Sequence, residues 1–358
     1  MRAAVFVGQE QPLVVEEVTP IALGPRDVTV RIAASGVCHS DVSIIHGYVP
    51  LPPPVVLGHE GAGTVEEVGP EVTRVRPGDR VVATFVPNCG RCWFCVHGKP
   101  NLCERSFETT MAPRGTRPDG TPFTAFSGLG TFADAMTVGE ESVIKVDTDL
   151  PDEQLALIGC GVTTGVGAAL NTARVEPGAS VAVIGCGGVG QAVIQGARIA
   201  GAARIFAVDP VELKRKTAEQ LGATDLVDPA QGDPVEQVKA LTGGRGADFT
   251  FEVIGLPETV VQAFLMARRA GTVTIVGMPR MDSSVTLPGW ALFYDEKRLL
   301  GCVYGSADPR RDFPRFIGLV ETGRLDLGAM VSRRISLDEV NDAVRAMETG
   351  EVIRSVIV

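Results

Sequence analysis

The run Gly185-Cys186-Gly187-Gly188-Val189-Gly190 follows the apolar stretch Val181–Ile184 and opens a segment of helical character. Asp209 ends the next apolar stretch, 19 residues past Gly190. A strand, a glycine turn, a helix and an acidic strand end, in that order, define a parallel βαβ unit built to hold a dinucleotide. Gly185 suits the tight turn, Gly187 lets a pyrophosphate approach the backbone, and Gly190 lets helix and strand pack closely, with the phosphates at the helix N-terminus. Asp209 is placed to accept hydrogen bonds from the adenosine ribose, and its charge repels a 2′-phosphate, so NAD is expected over NADP. The alternation continues. Strands are predicted at Ala179–Ile184, Arg204–Val208, Asp248–Val253 and Thr272–Val276, with helices at Gly190–Ala200, Lys214–Leu221 and Thr259–Ala267. Residues 156–302 are therefore expected to form a doubly wound parallel sheet.

The chain before this region reads differently. Short apolar runs at Ala3–Val7, Val28–Ala34, Gly61–Val68 and Arg80–Thr84, separated by turns such as Gly24-Pro25 and Pro77-Gly78, predict a β-rich domain. The tail predicts a helix at Leu337–Thr349, started by Ser336 and Glu339, and a last strand at Val352–Val358. A chain of 358 residues exceeds one comfortable core. Two domains are expected: 1–155 with 303–358, and 156–302. Tyr48–Pro54 and Ala112–Gly130 read as long surface loops. The net charge of −10 opposes binding to nucleic acid or an anionic membrane. No uninterrupted apolar run reaches the length of a spanning helix, and the N-terminal apolar run is short for a secretory signal. Eight cysteines in such a chain point to metal or reactive thiols rather than disulfides, and to a reducing cytoplasm.

Cys89, Cys92, Cys95 and Cys103 follow C-x2-C-x2-C-x7-C. Thiolates packed so closely repel unless a cation sits among them, and this spacing predicts a closed, structural tetrahedral Zn²⁺ site. A second set is scattered: Cys38 in G-V-C-H-S-D, His59 with Glu60 in G-H-E, and Cys160 in G-C-G. Spacing alone leaves this set open between metal ligands and ordinary core groups.

Together, G-V-C-H-S-D (36–41), G-H-E-G-A-G (58–63), the four-cysteine loop, G-C-G-V-T-T-G (159–165), G-C-G-G-V-G (185–190) and I-R-S-V (353–356) resemble the zinc-dependent medium-chain alcohol dehydrogenases, class III-like and actinobacterial branch, over essentially the whole chain. The resemblance implies a GroES-like catalytic domain plus a Rossmann coenzyme domain, two Zn²⁺ per subunit, NAD, and reversible hydride transfer between a primary alcohol, aryl and allylic ones included, and NAD, giving the aldehyde. It implies a catalytic zinc on Cys38, His59 and Cys160, with Glu60 just behind, Asp41 orienting His59, and Ser40 taking the alcohol proton. His39 and Arg354 would clamp the pyrophosphate. Lys214 would contact the adenosine ribose. Thr164, Gly188, Val189 and Val276 would complete the coenzyme contacts, and Phe85, Met278 and Tyr304 would line the substrate pocket.

Two positions depart from the family pattern. The histidine that ends a liver-type proton relay is replaced by Ser43, leaving water or His46 to end it. The arginine that glutathione-dependent formaldehyde dehydrogenases place after the last structural cysteine is Phe107, with Arg105 out of register. The alternatives are thus a formaldehyde dehydrogenase using another low-molecular-weight thiol and, from a different class, a non-catalytic zinc- and nucleotide-binding redox sensor. Leu287, Trp290, Leu292 and Phe293 look exposed and apolar, which, with the family's habit of pairing there, implies a homodimer first and a homotetramer second.

Overall fold

The computed structural model describes residues 1–108 and 110–358. The chain divides into two compact units: Met1–Gly161 with Asp308–Glu321 and Val331–Val358, and Val162–Ala307 with Thr322–Met330. The sequence had put the joins at 155/156 and 302/303. The segment 322–330, which it gave to the catalytic domain, groups with the second unit.

The first unit is built on mixed sheets. One runs Val143–Lys145, Arg80–Ala83, Glu60–Val68, Asp27–Gly36, Arg354–Ile357, Val331–Ile335, with Ala135–Gly139 also paired to Asp27–Gly36. Gly36 pairs with Glu60 on one side and with Val356 on the other. This register gathers three strand ends, and so brings Cys38, His59, Glu60 and Arg354 to one place. A core of Val28, Val30, Val65, Val81, Met136 and Val138 packs against the sheet. A second core, containing Phe6, Leu57 and Phe132, receives the short helix His39–Ile45 and the C-terminal helix Val340–Glu348. That C-terminal helix begins as expected, with the Glu339 carboxylate accepting from the Ser336 N–H and hydroxyl, both at 2.8 Å.

Ala112–Gly130 is not simply a surface loop. Strands Gly115–Thr116 and Pro122–Ala125 form a hairpin in it, and Phe123, Ala125 and Leu129 are buried. Its glycine and proline content hid a short apolar alternation, the usual cost of reading composition over period.

The second unit is a six-stranded, all-parallel sheet in the order Asp225–Val227, Arg204–Val208, Ser180–Ile184, Ala247–Glu252, Ala267–Ile275, Arg298–Gly301. The chain order reverses between Ser180–Ile184 and Ala247–Glu252, the place where a doubly wound sheet opens a crevice for a nucleotide. Successive residues of Ser180–Ile184 face opposite cores. Val181 and Val183 pack with Val193, Ile194 and Ala197 of helix Gly188–Ala200, while Ala182 and Ile184 pack with Ala263 and Phe264 of helix Pro257–Met266. Burial on both faces explains the nearly continuous apolar strands.

The helical stretch Asp152–Thr172 is long and apolar enough to cross a bilayer by composition, which strict uninterrupted runs had not revealed, but 78% of its apolar window is buried inside the protein. It is a core helix, and it contains a π-helical turn at Ile158–Val162 that carries Cys160. Such turns recur at functional sites because they re-aim a side chain.

Away from these centres, His46 caps the end of helix His39–Ile45 and is held between two carboxylates. Nδ1 lies 2.7 Å from Glu10 and Nε2 2.5 Å from Glu348, with Tyr48 stacked on the ring. Hydrogen bonds to Glu10 and then Glu348 raise the imidazole above its usual pKa. A folded-state pKa above the unfolded one stabilises fully below the unfolded value, near 6.5, and the benefit disappears as pH rises through the raised value. His46→Gln is therefore expected to lower the thermal midpoint by roughly 2 °C at pH 6, with the gap closing as pH rises through the raised pKa. A gap that widens with pH in a melting series would overturn this account.

Candidate metal centre and nucleotide turn

Cys38 is the N-cap of helix His39–Ile45, and Asp41 is its third residue. The Asp41 carboxylate accepts from the Cys38 N–H at 3.1 Å, and from the Gly58 N–H at 2.9 Å. It also lies 3.4 Å from Nδ1 of His59. One wholly buried carboxylate thus fixes both segments and sets the His59 tautomer. Nε2 of His59 is buried with no hydrogen-bond partner, an orphan that costs free energy unless something electrophilic meets it. The sulfurs of Cys38 and Cys160, a ring nitrogen of His59 and an oxygen of Glu60 lie within 4.8 Å of one another, all buried.

The protonation pattern carries the same message. Cys38 is held well below the ordinary thiol range, chiefly by the Cys160 thiol, with Arg354 and His59 assisting against burial. Cys160 is pushed up by that same neighbour and by burial. Burial and mutual repulsion oppose ionising both thiols together. Zn²⁺ removes the conflict, and a set of two sulfurs, one imidazole and an open position suits it. The residues present fit the metal.

Glu60 adjoins this set, its oxygen within 4.8 Å of the other three ligand atoms. One oxygen accepts from the Gly161 N–H at 3.0 Å and from Nη2 of Arg354 at 3.1 Å, while the other is buried without a partner. Burial pushes its carboxyl up to about 7, against the pull of Arg354. Space around the pair is tight. A Cβ on Gly36 would lie 2.2 Å from Glu60, and one on Gly161 would lie 2.3 Å from Arg354. Arg354 also donates to the Val37 carbonyl at 2.9 Å and is 3% exposed. The partners of Arg354 are therefore metal-site groups. A pyrophosphate contact for it remains a proposal.

Phe85 meets the His59 ring edge-on at 5.7 Å, and so does Phe126, closer, at 4.8 Å. Sequence reading missed Phe126 because it lies in the stretch taken for a loop. Ser40 sits with its hydroxyl 3.8 Å from the Cys38 sulfur. Ser43 donates to the His39 carbonyl at 3.0 Å. His39 itself is exposed. Both ring nitrogens of His46 are taken by Glu10 and Glu348, which leaves it no nitrogen with which to end a relay.

The four sulfurs of Cys89, Cys92, Cys95 and Cys103 also lie within 4.8 Å of one another. Helical turns at Trp93–Val96 and Pro100–Leu102 fold the loop around them. The N–H groups of Arg91 and Cys92 point at the Cys89 sulfur at 3.5 and 3.3 Å, and the first of these leads in lowering that thiol to about 6. Burial and the Cys92 sulfur push Cys95 up to about 12. Such a divided set again suits a dication holding all four as thiolates.

In the second unit the glycine turn has the shape its spacing predicts. Gly185 has φ +91°, and a Cβ there would strike Ile254 at 2.6 Å. A Cβ on Gly190 would lie 1.9 Å from the Gly185 carbonyl oxygen, whereas one on Gly187 would enter open space. That open cradle at the start of helix Gly188–Ala200 fits a pyrophosphate. Asp209, 5% exposed, accepts from the Cys186 and Val211 N–H groups, each at 2.8 Å, so its carboxylate is aimed by the turn itself. Lys214 offers its carbonyl to Gln191 at 2.8 Å. A Cβ on Gly165, next to Thr164, would crowd the Val189 carbonyl at 2.4 Å. The Val276 N–H donates to the Glu252 carbonyl at 2.8 Å. Met278 is exposed beside Gly255, and Tyr304 is 2% exposed. Both belong to this second unit.

Comparison with known proteins agrees with this chemistry. Residues 24–148 match the alcohol dehydrogenase GroES-like domain, and residues 188–322 match the zinc-binding dehydrogenase domain. An NDMA-dependent alcohol dehydrogenase of Amycolatopsis methanolica is 39% identical over 99% of this chain and 98% of its own. An S-(hydroxymethyl)glutathione dehydrogenase of Photobacterium damsela subsp. piscicida is 40% identical over 99% of both. Among solved structures, benzyl alcohol dehydrogenase of Acinetobacter calcoaceticus superposes with a TM-score of 0.93 at 31% identity, covering 99% of this chain and 98% of that one. With cysteine, histidine and glycine-turn geometry in place and relatives matched end to end, the chain belongs to the zinc-dependent medium-chain alcohol dehydrogenase family.

Proposed function

We propose that Cys38, His59 and Cys160 hold the catalytic zinc of an NAD-dependent dehydrogenase of primary alcohols, with aryl or allylic alcohols preferred. The observation that carries this reading is the orphaned Nε2 of His59, on a ring held by Asp41 and clustered with two buried sulfurs. When bound, zinc supplies a Lewis acid that lowers an alcohol's pKa, and the nicotinamide supplies the hydride acceptor. The protein's own residues do the rest. Asp41 holds the imidazole in one tautomer. Ser40, whose Oγ lies beside the Cys38 sulfur, takes the alcohol proton and passes it to solvent. Phe85 and Phe126 give the site apolar walls that fit an aryl or allylic group. Cys89, Cys92, Cys95 and Cys103 hold a structural zinc with no open position.

The Photobacterium relative supports a second reading, oxidation of a formaldehyde–thiol adduct. Phe107 is 68% exposed and carries no charge, and Arg105 is taken by Glu108 at 2.8 Å, which speaks against glutathione as the thiol. A panel decides between the readings. NADH formation from benzyl alcohol, with two zincs per chain, supports the first. NADH from formaldehyde only when a small thiol is added would replace it with the second.

For coenzyme choice, Asp209→Gly is expected to erode the NAD-over-NADP ratio of kcat/KM by roughly ten-fold or more, about 1.4 kcal/mol. An unchanged ratio would remove Asp209 from the coenzyme site. A homodimer in the cytoplasm is the expected form. Supporting the pairing are exposed Trp290, Phe293 and Tyr294 near the sheet-edge strand Arg298–Gly301. Leu287, thought exposed, instead packs partly against the core. Light scattering should show Phe293→Glu weakening the dimer, and a monomeric wild type would refute the pairing.

A further inference from the structure

The loop Cys89–Cys103 turns apolar groups outward, with Trp93 60% and Val96 62% exposed, so packing does little to hold its arms. Polar contacts do more. Ser106, 1% exposed, places its hydroxyl 2.9 Å from the Cys103 carbonyl and 3.3 Å from the Pro87 carbonyl, ready to donate to either arm. The Cys89 N–H points at the Cys103 sulfur at 3.4 Å. From helix Pro309–Glu321, distant in sequence, Nη2 of Arg310 donates to the Asn88 carbonyl at 3.2 Å, next to the first cysteine. Partial burial and Arg74 disfavour the Arg310 charge, while Asp308, Glu141 and the Cys95 sulfur favour it. A second arginine acted on by these sulfurs, Arg105, is paired with Glu108.

Four thiolates around one Zn²⁺ carry a net charge of −2. A cation tied to the backbone beside them lowers the cost of that charge and fixes the arm that presents the first sulfur. We propose that Arg310, assisted by Ser106, is a positioning residue of the four-cysteine site and governs how long that site keeps its metal. This rests on reading the four cysteines as a zinc site.

The test uses the full zinc-loaded chain carrying Trp290→Phe. The chain has two tryptophans, so Trp93 becomes the sole one. It stacks on His97 at 4.2 Å and reports on the loop. Zinc transfer to a chromophoric chelator is followed together with Trp93 emission. With Arg310→Gln, one zinc per chain is expected to leave about ten-fold faster, with the Trp93 change at the same rate, while the other zinc leaves at the wild-type rate. Arg310→Lys should recover part of the loss, and Arg315→Gln, on the same helix, should behave as wild type. Should Arg310→Gln fail to fold, Ser106→Ala carries the test with the same readouts. Wild-type release from Arg310→Gln overturns the proposal, as does equal acceleration of both zincs alongside a lowered melting point. If the starting protein holds one zinc and Cys95→Ala still holds one, the zinc reading of the loop fails instead.

Discussion

Cys160→Ala is expected to cut turnover by roughly four orders of magnitude while the protein stays folded. The size follows from the chemistry. A Lewis acid at this site moves an alcohol's ionisation from far above neutrality into the physiological range, and losing it returns that cost to the barrier at about 1.4 kcal/mol per ten-fold. Folding should survive because Cys160 sits in a preformed π-helical turn, held by the Gly161 N–H on Glu60, and alanine removes only the sulfur. Zinc content should fall from two per chain to one. Cys95→Ala is the contrasting variant. It should also lose one zinc, but chiefly lower stability, because the loop it closes has little core. Turnover of Cys160→Ala within ten-fold of wild type would dismiss the catalytic assignment. Loss of turnover by Cys95→Ala in a fully stable protein would reverse the roles of the two sites.

Much of this site could be read in advance because metal and phosphate chemistry restrict residue type. Only cysteine, histidine and carboxylates hold zinc, and only glycine permits the turn at Gly185 and the contact at Gly190. Parallel strands buried on both faces were equally visible, since their short apolar runs alternate with helical segments. What stayed hidden depends on tertiary contact. Phe126 approaches His59 through a turn whose composition looked like surface loop. Arg310 reaches Asn88 across more than half the chain, and nothing in a local pattern announces that. Arg354 was legible only in part. The motif marked it as important, yet its structural partners, Glu60 and the Val37 carbonyl, follow from the strand register that sets Gly36 between Glu60 and Val356. The short strand Asp225–Val227, the helix Pro234–Leu241 and the edge strand Arg298–Gly301 were not anticipated. These strands are too brief for a period to register.

Arg354→Leu should be the most damaging substitution outside the ligands themselves. The guanidinium is wholly buried, and although burial opposes its charge, Glu60 leads the neighbours that keep it protonated. Removing it leaves a buried carboxylate whose second oxygen already lacks a partner, and breaking one side of a buried ion pair costs about 3–5 kcal/mol. Glu60→Gln alone should cost less, because the amide keeps an acceptor for Gly161 and Arg354 while shedding the charge. The double variant discriminates. If the cost of Arg354→Leu arises from stranding the Glu60 charge, combining it with Glu60→Gln should recover about 1–3 kcal/mol in denaturant melts, a coupling that independent packing losses do not produce. Additive losses would mean that Arg354 supports the site by filling space between Gly161 and the Val37 carbonyl rather than by neutralising Glu60. The same variants should differ in zinc retention at the Cys38, His59, Cys160 set, because the carboxylate behind it either relaxes or presses toward the metal position with its partner gone.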